Sequence, residues 1–259
     1  MSTDTQTLDT LDLERRVKEM YREVAEEPFK EFHFETGRTL AERLGYPSEE
    51  LDAIPAEAID SFAGVGYYFE LARITPGETV VDLGSGSGTD SFLAARQTGE
   101  SGRVVGIDMT SAQLAKARRL ASEQGIANVE FIEAHIEQLP LPNASADLVI
   151  SNGVINLAPD KAAVFADAAR VLRPGGRLAL ADIVTNTQLP VGVTCDASLW
   201  AACIGGALQR DDYREAIEAA GFKLDDLQEN DRYRFVSERA ENATKKYGVR
   251  SVSLLAIKR

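Results

Sequence analysis

The segment Val80-Val81-Asp82-Leu83-Gly84-Ser85-Gly86-Ser87-Gly88 runs an apolar strand into three alternating glycines, and a helix-forming stretch follows. Glycine lets a backbone turn tightly and approach a ligand, and the start of the helix offers free N–H groups. Asp82 precedes Gly84 by two residues, and Asp108 follows Gly86 by 22, the spacing of an acid that holds both ribose hydroxyls. A dinucleotide fingerprint needs a glycine at the position that Thr89 occupies. A carboxylate at position 82 would also repel a pyrophosphate. It suits a cationic amino-acid ligand instead, such as the α-ammonium of S-adenosylmethionine.

Thiols are the other reactive groups, and there are two, Cys195 and Cys203. That number excludes a disulfide framework and a four-cysteine zinc centre, and no metal site is expected. Eight residues separate them, a rise of roughly 12 Å on a continuous helix, too far to share one atom. A bend between them, with Thr194 or Asp196 starting a helix, would bring them closer. Cys195 reads as a small buried apolar residue. For Cys203 burial and ligation both remain open.

The positioning elements follow from periodicity. Thr79–Leu83, Val104–Ile107, Val129–Ile132, Leu148–Ser151 and Leu178–Val184 read as strands, alternating with helices. One helix runs through Arg96. Another starts at Thr110 as a capping box with Gln113 and stops at Gly125. A third is capped by Asp160, and the turn Arg173-Pro174-Gly175-Gly176 leads into the fifth strand. Such alternation predicts right-handed crossovers and a parallel sheet covered on both faces, with its ligand beyond the carboxyl ends of the strands.

Residues 1–60 read as a helical extension, with Leu13, Val17, Met20 and Val24 at helical spacing until Pro28. A short helix begins at Pro47 or Ser48. Phe29, Phe32 and Phe34 crowd around His33, as an aromatic patch against the next unit or as a lid over a site. Residues 61–259 form the main domain, with a core over 79–184 and a substrate-side insert and closing strands over 185–259. The insert includes a helical stretch around Leu199–Leu208. A helix from Asp211 or Asp212 to Gly221 precedes a hairpin-like pair, Phe222–Leu227 and Val252–Ile257. The tail residues Arg232, Tyr233, Arg234 and Phe235 could pack on the substrate side.

The chain has 259 residues, 44% of them hydrophobic, enough for a sizeable core without disulfides. Lys+Arg 28 against Asp+Glu 41 gives a net charge of −13, which argues against a nucleic-acid binder and an anionic membrane surface. The first ten residues lack the basic and apolar regions of a signal peptide. The longest apolar stretch, Leu199 to Leu208, is about half of the roughly 20 residues a membrane span needs. A cytoplasmic location with free thiols is expected.

On these residues the chain resembles the class I S-adenosylmethionine-dependent methyltransferases. VVDLGSGSG is similar to their first motif and Gly106-Ile107-Asp108 to their ribose-binding acid. The resemblance implies an α/β fold, a doubly wound, mostly parallel, seven-stranded Rossmann-like sheet with S-adenosylmethionine as cofactor. It implies cofactor contacts from Asp82, Gly84, Ser85, Gly86, Gly88 and Asp108. Met109 lies on the adenine face, and the Ala134-His135-Ile136-Glu137 segment reads the adenine edge through the Ile136 N–H. Asn152 contributes to the methionine end. Many members carry an acid where His135 stands, and neutral histidine can still accept one hydrogen bond. An ordinary surface or core role for His135 stays open.

Three narrower segments, SNGVINLAPDKAAVF, ARVLRPGGRLALADI and LWAACIGGAL, together with the entry FAGVGYYFELARITPGETVVDLGSG, resemble arsenite methyltransferases over roughly residues 62 to 212. Trivalent arsenic is thiophilic, so thiolates are its natural ligands. In that family they come from a glycine-flanked cysteine before the first strand, from the SN-x-VINL motif and from C-I-G-G-A-L. Cys203 matches the last, while Val65 and Gly153 stand at the other two positions.

The resemblance therefore implies methyl transfer to trivalent arsenic, free or carried by small thiols. A second reading has a methyltransferase of the same fold acting on an organic small molecule, with Tyr67, Tyr68, Trp200 and the phenylalanines near His33 lining an apolar pocket. A third is a non-catalytic S-adenosylmethionine-binding protein. A nicotinamide dehydrogenase is disfavoured by Asp82 and Thr89. The oligomeric state is not written in the sequence.

Overall fold

The computed structural model describes residues 8–194, 200, 204–236 and 238–259. Cys195, Cys203 and Asp196 lie outside the described residues.

Short, largely apolar runs buried on both faces make the central parallel strands. β1 (Thr79–Leu83) lies between β2 (Arg103–Asp108) and β4 (Ala146–Asn152), with Val81 paired to Val105 and to Val149. β3 (Val129–Glu133) flanks β2, and β5 (Leu172–Thr185) flanks β4. The short β6 (Leu208–Gln209) pairs with the end of β5. β7 (Phe222–Glu229) and β8 (Arg250–Lys258) close the sheet, and β8 is antiparallel to both β5 and β7. The order β3-β2-β1-β4-β5-β8-β7 reverses direction between β1 and β4. Ligands bind beyond the strand ends at such a reversal.

Helices cover both faces. α1 (Thr10–Glu26), α2 (Arg38–Leu44), α3 (Ser48–Leu51), α4 (Ala56–Asp60) and α5 (Phe69–Ala72) precede the sheet. Asp9 caps α1 by accepting from the N–H groups of Leu11 and Asp12, and the helix ends just before Pro28. Leu13, Val17, Leu40 and Tyr46 share one core with Phe92, Leu114 and Leu148. α6 (Thr89–Thr98) and α7 (Ser111–Glu123) pack on that face. On the opposite face Val164 and Phe165 of α8 (Lys161–Val171) meet Tyr213 and Ile217 of α10 (Arg210–Ala219). α9 (Val191–Thr194) and α11 (Glu238–Tyr247) complete the described helices.

Several expectations change. α7 starts after Thr110 as read, and Ile126 N bonds Ala121 O around a left-handed Gly125. Yet no capping box forms, because Gln113 is used elsewhere: its amide donates to Tyr21 O and its oxygen accepts from Ser87 Oγ. The Arg173–Gly176 turn is absorbed into β5 as a register shift opposite Ala146 and Leu148. The helical stretch does not reach Leu208, since residues 204–206 are turn and bend and Leu208 joins the sheet. The closing pair does form as read, antiparallel and at the end of the sheet, with α11 in the connection between its strands. Met20 is only partly buried, and Tyr21 packs on the core in its place. Phe29 is 86% exposed and stands outside the stack that Tyr21, Phe34 and Phe32 make beside His33.

Candidate active site

The glycine loop leaves the end of β1 and returns at once toward β2: the N–H groups of Gly84 and Ser85 both donate to Ile107 O, at 2.7 and 2.9 Å. Gly84 has a φ of +71, and a Cβ there would stand 2.6 Å from the Val154 side chain. Gly88, at +97, heads α6, and its missing Cβ makes room for Phe92 and Phe131. Both positions require glycine for conformation and for space.

Asp108 is built into the same turn. Its two carboxylate oxygens accept from the N–H of Gly86 (2.9 Å) and of Thr110 (2.8 Å). Burial pushes its carboxyl up despite these donors, and its remaining lone pairs are available to a diol. Asp82 is buried at the tip of β1 and accepts from Ser91 Oγ at 2.6 Å. Its carboxyl is pushed up to about 8, first by burial and then by the neighbouring Asp90.

Asp90, in the first turn of α6, is a hub that sequence reading missed. It accepts from Tyr46 Oη (2.8 Å), Tyr68 Oη (2.8 Å) and Asn152 Nδ2 (3.1 Å). Asn152 also donates to Tyr46 Oη and Gly66 O, while its Oδ1 accepts from Val65 N at 2.8 Å. The loop around Val65 is thus hung from the tip of β4 and the first turn of α6. Acids in the first turn of a helix ordinarily complement its dipole at the surface, so only the buried tyrosines disclose this one.

A cavity of about 440 Å³ opens over these groups. Its floor includes Asp82, Gly84, Ser85, Gly86, Asp90, Asp108 and Asn152, and one wall carries Met109, His135, Ile136 and Glu137. Gly88 is not among the lining residues and shapes the loop from behind. The buried Ser85 hydroxyl has no protein partner. Leu13, Glu14, Val17 and Tyr21 of α1 also line it, and α1 is tied down through Gln113 to Tyr21 O and through Lys116 to Ala25 O. His135 Nε2 stands 3.7 Å from Glu14 Oε1, with both side chains partly exposed.

The positions singled out for an acceptor divide. Gly153 lines the cavity and Val65 stands directly behind it: a Cβ on Gly153 would lie 3.2 Å from Val65 Cγ1. Tyr67, Tyr68 and Trp200 do not line it. Tyr68 is fully buried on Asp90, Tyr67 packs against Tyr46 and Phe69, and Trp200 donates to Thr194 O at 2.7 Å. The Tyr68 hydroxyl and the Trp200 N–H are engaged within the fold and the Tyr67 ring is packed among other aromatics, so these three form no aromatic acceptor pocket. Tyr233 and Phe235 meet edge to face and pack, partly buried, against the first core, and Arg232 reaches Gly45. The segments SNGVINL and CIGGAL meet: a Cβ on Gly206 would lie 1.9 Å from Asn156 O and 2.7 Å from the Trp200 ring. Among the described residues no group of three or more His, Cys, Asp or Glu could hold a metal ion. No described helix is long and apolar enough to cross a membrane.

The residues present fit S-adenosylmethionine. A free Ser85 hydroxyl, a carboxylate with lone pairs to spare at Asp108 and the neighbouring acids Asp82 and Asp90 answer its amino-acid and ribose groups, and Met109 and Ile136 offer apolar surface to the base.

Comparison with known proteins agrees. A family model described as "Methyltransferase domain" matches residues 74–221. An arsenite methyltransferase from Halobacterium salinarum is 42% identical over 76% of this chain and 50% of its own length. The arsenite methyltransferase of Homo sapiens is 40% identical over 55% of this chain and 40% of its own. The chain spans about half the length, or less, of the curated relatives it matches. The crystal structure of an arsenic (III) S-adenosylmethionine methyltransferase from Chlamydomonas reinhardtii is 31% identical with a TM-score of 0.67, covering 85% of this chain and 73% of that one. With a family model spanning more than half of it and an algal structure alike over most of it, the chain belongs to the S-adenosylmethionine-dependent methyltransferases.

Proposed function

We propose that the protein methylates trivalent arsenic, free or carried by a small thiol. The convergence of three of the four segments that resemble arsenite methyltransferases supports this reading: Val65 of the entry segment touches Gly153, and Gly206 packs on Asn156. When bound, S-adenosylmethionine supplies a methyl on positive sulfur, which an arsenic lone pair can take in line without a strong general base. The chain's own residues then have to bind, orient and keep water out. Asp82 takes the α-ammonium, Asp108 the ribose, and the 134–137 segment the adenine edge. Asn152 acts on the methionine end by holding the Val65 loop. Residues 1–60 cover the site, and 61–259 form the methyltransferase domain. Cys203 is the thiol proposed to meet arsenic, with Cys195 the second thiol of the same insert, and the setting is cytoplasmic.

Purified protein with S-adenosylmethionine, arsenite and a thiol should yield methylated arsenicals by mass spectrometry, and Cys203→Ser should abolish them. Absence of product from the unaltered protein would overturn the reading. An organic acceptor is the second reading, and a specific contact favours it: the valine side chain behind Gly153 makes two of the three family thiol positions apolar. Turnover of an organic small molecule, without arsenic product, would establish it.

A further inference from the structure

The turn Val154–Pro159 forms one rim of the cavity, with Val154, Leu157, Ala158 and Pro159 among its lining residues. It is held from beneath by a lysine. Lys161 is buried, and its Nζ donates to Ala158 O at 2.9 Å and to Asn156 O at 3.3 Å. The same Nζ stands 4.7 Å from the centroid of the Trp200 ring. Trp200 is itself fixed through Nε1 to Thr194 O and packs against Gly205 and Gly206. On the other side Asp182 of β5 accepts from the Asn156 N–H, from Ile183 N and from Tyr213 Oη. The turn therefore has its N–H on a carboxylate and its carbonyls on an ammonium.

We propose that Lys161 is a positioning residue for methyl transfer, its ammonium setting the Val154–Pro159 turn at the cavity rim and coupling that turn to Trp200. The proposal rests on the methyltransferase reading for its purpose, but its geometry stands on these contacts. An ammonium suits the task because it donates in several directions at once and is attracted to an indole face. The charged groups that face it are Asp182 of β5, Glu137 after β3 and Asp160 at the start of α8. Burial outweighs all three and pushes the amine down to about 8, so mild alkali should release the turn. A displacement at this rim reaches the reacting geometry, where a shift of about 1 Å is worth on the order of 100-fold in rate.

The chain has one tryptophan, so Trp200 emission reports this contact directly. In the unaltered protein the emission should change with a midpoint near pH 8, and it should respond when S-adenosylhomocysteine is added. Lys161→Met keeps Asp82, which titrates in the same range, yet should lose the pH response. It should also lose the ligand response while binding S-adenosylhomocysteine within about threefold by calorimetry, and its kcat should fall on the order of 10- to 100-fold. Lys161→Arg retains the charge and should keep part of the ligand response. Emission in Lys161→Met that still follows pH and ligand, or unchanged turnover, would overturn the proposal. Should the variants not fold, the unaltered protein decides: flat Trp200 emission between about pH 6 and 10 contradicts the contact. Failure to take up S-adenosylhomocysteine would instead strike the methyl-donor reading, because the pH titration needs no ligand.

Discussion

Val65 and Gly153 are neighbours although 88 residues separate them: the methyl group Cγ1 of Val65 lies 3.2 Å from where a Cβ on Gly153 would be. The two positions at which the family resemblance implies thiols are thus in contact here, Gly153 lining the cavity and Val65 behind it, and both are apolar. Val65→Cys replaces a buried side chain by a smaller one and should cost about 1 kcal/mol of stability. It should tighten arsenite binding, measured by calorimetry under reducing conditions. Gly153→Cys must place a Cβ at a φ of +76, a further cost of roughly 1–2 kcal/mol. The double variant should therefore bind arsenite better and melt lower than the parent.

As the proposed partner of the donor's α-ammonium, Asp82 should make donor binding depend on pH. Its carboxyl lies at about 8 in the folded chain against an ordinary 3.8, so the folded state holds the proton more tightly than the unfolded one. The group's contribution to stability is present below about pH 4 and is lost as pH rises toward 8. A bound cation favours the ionised acid. Affinity for S-adenosylmethionine should rise between about pH 6 and 8, with a proton released on binding. Calorimetry in two buffers of different ionisation enthalpy measures that release. Asp82→Asn should flatten the pH dependence and weaken binding by about 10-fold or more.

Asp90 carries three donors at once. Asp90→Ala leaves two tyrosine hydroxyls and an amide facing a void, so a loss of about 3 kcal/mol is expected. For a domain of this size that is roughly 6–12 °C in Tm. Tyr46→Phe removes one donor and should cost about 1 kcal/mol. Thermal melts followed by circular dichroism test both.

The roof depends on Gln113, which bridges Ser87 of the glycine loop to the backbone of α1. Gln113→Leu should loosen α1 by about 1–2 kcal/mol. Limited proteolysis should then cut near residue 27 sooner, and S-adenosylmethionine should protect less well than in the parent.

The strands were legible because parallel strands buried on both faces are near-continuous apolar runs, and Leu148–Ile150 and Leu178–Ala181 are such runs. The glycine loop was legible because its conformation admits few other residues. Asp90, Tyr46 and Lys161 were not. Each belongs to a type that ordinarily faces water or fills a core, and its role arises from partners 22, 44 or 62 residues away, or from a side chain that folds back on its own turn. Gln113 misled for a related reason. Its spacing from Thr110 suits a capping box, but a contact with Tyr21, 92 residues earlier, takes the amide.

The most direct test of the account is titration calorimetry of the full chain with S-adenosylmethionine and, separately, with a nicotinamide dinucleotide. Acids at the strand tips beside the glycine loop predict uptake of the sulfonium donor and no measurable heat from the dinucleotide. Uptake of the dinucleotide with no uptake of S-adenosylmethionine would contradict it.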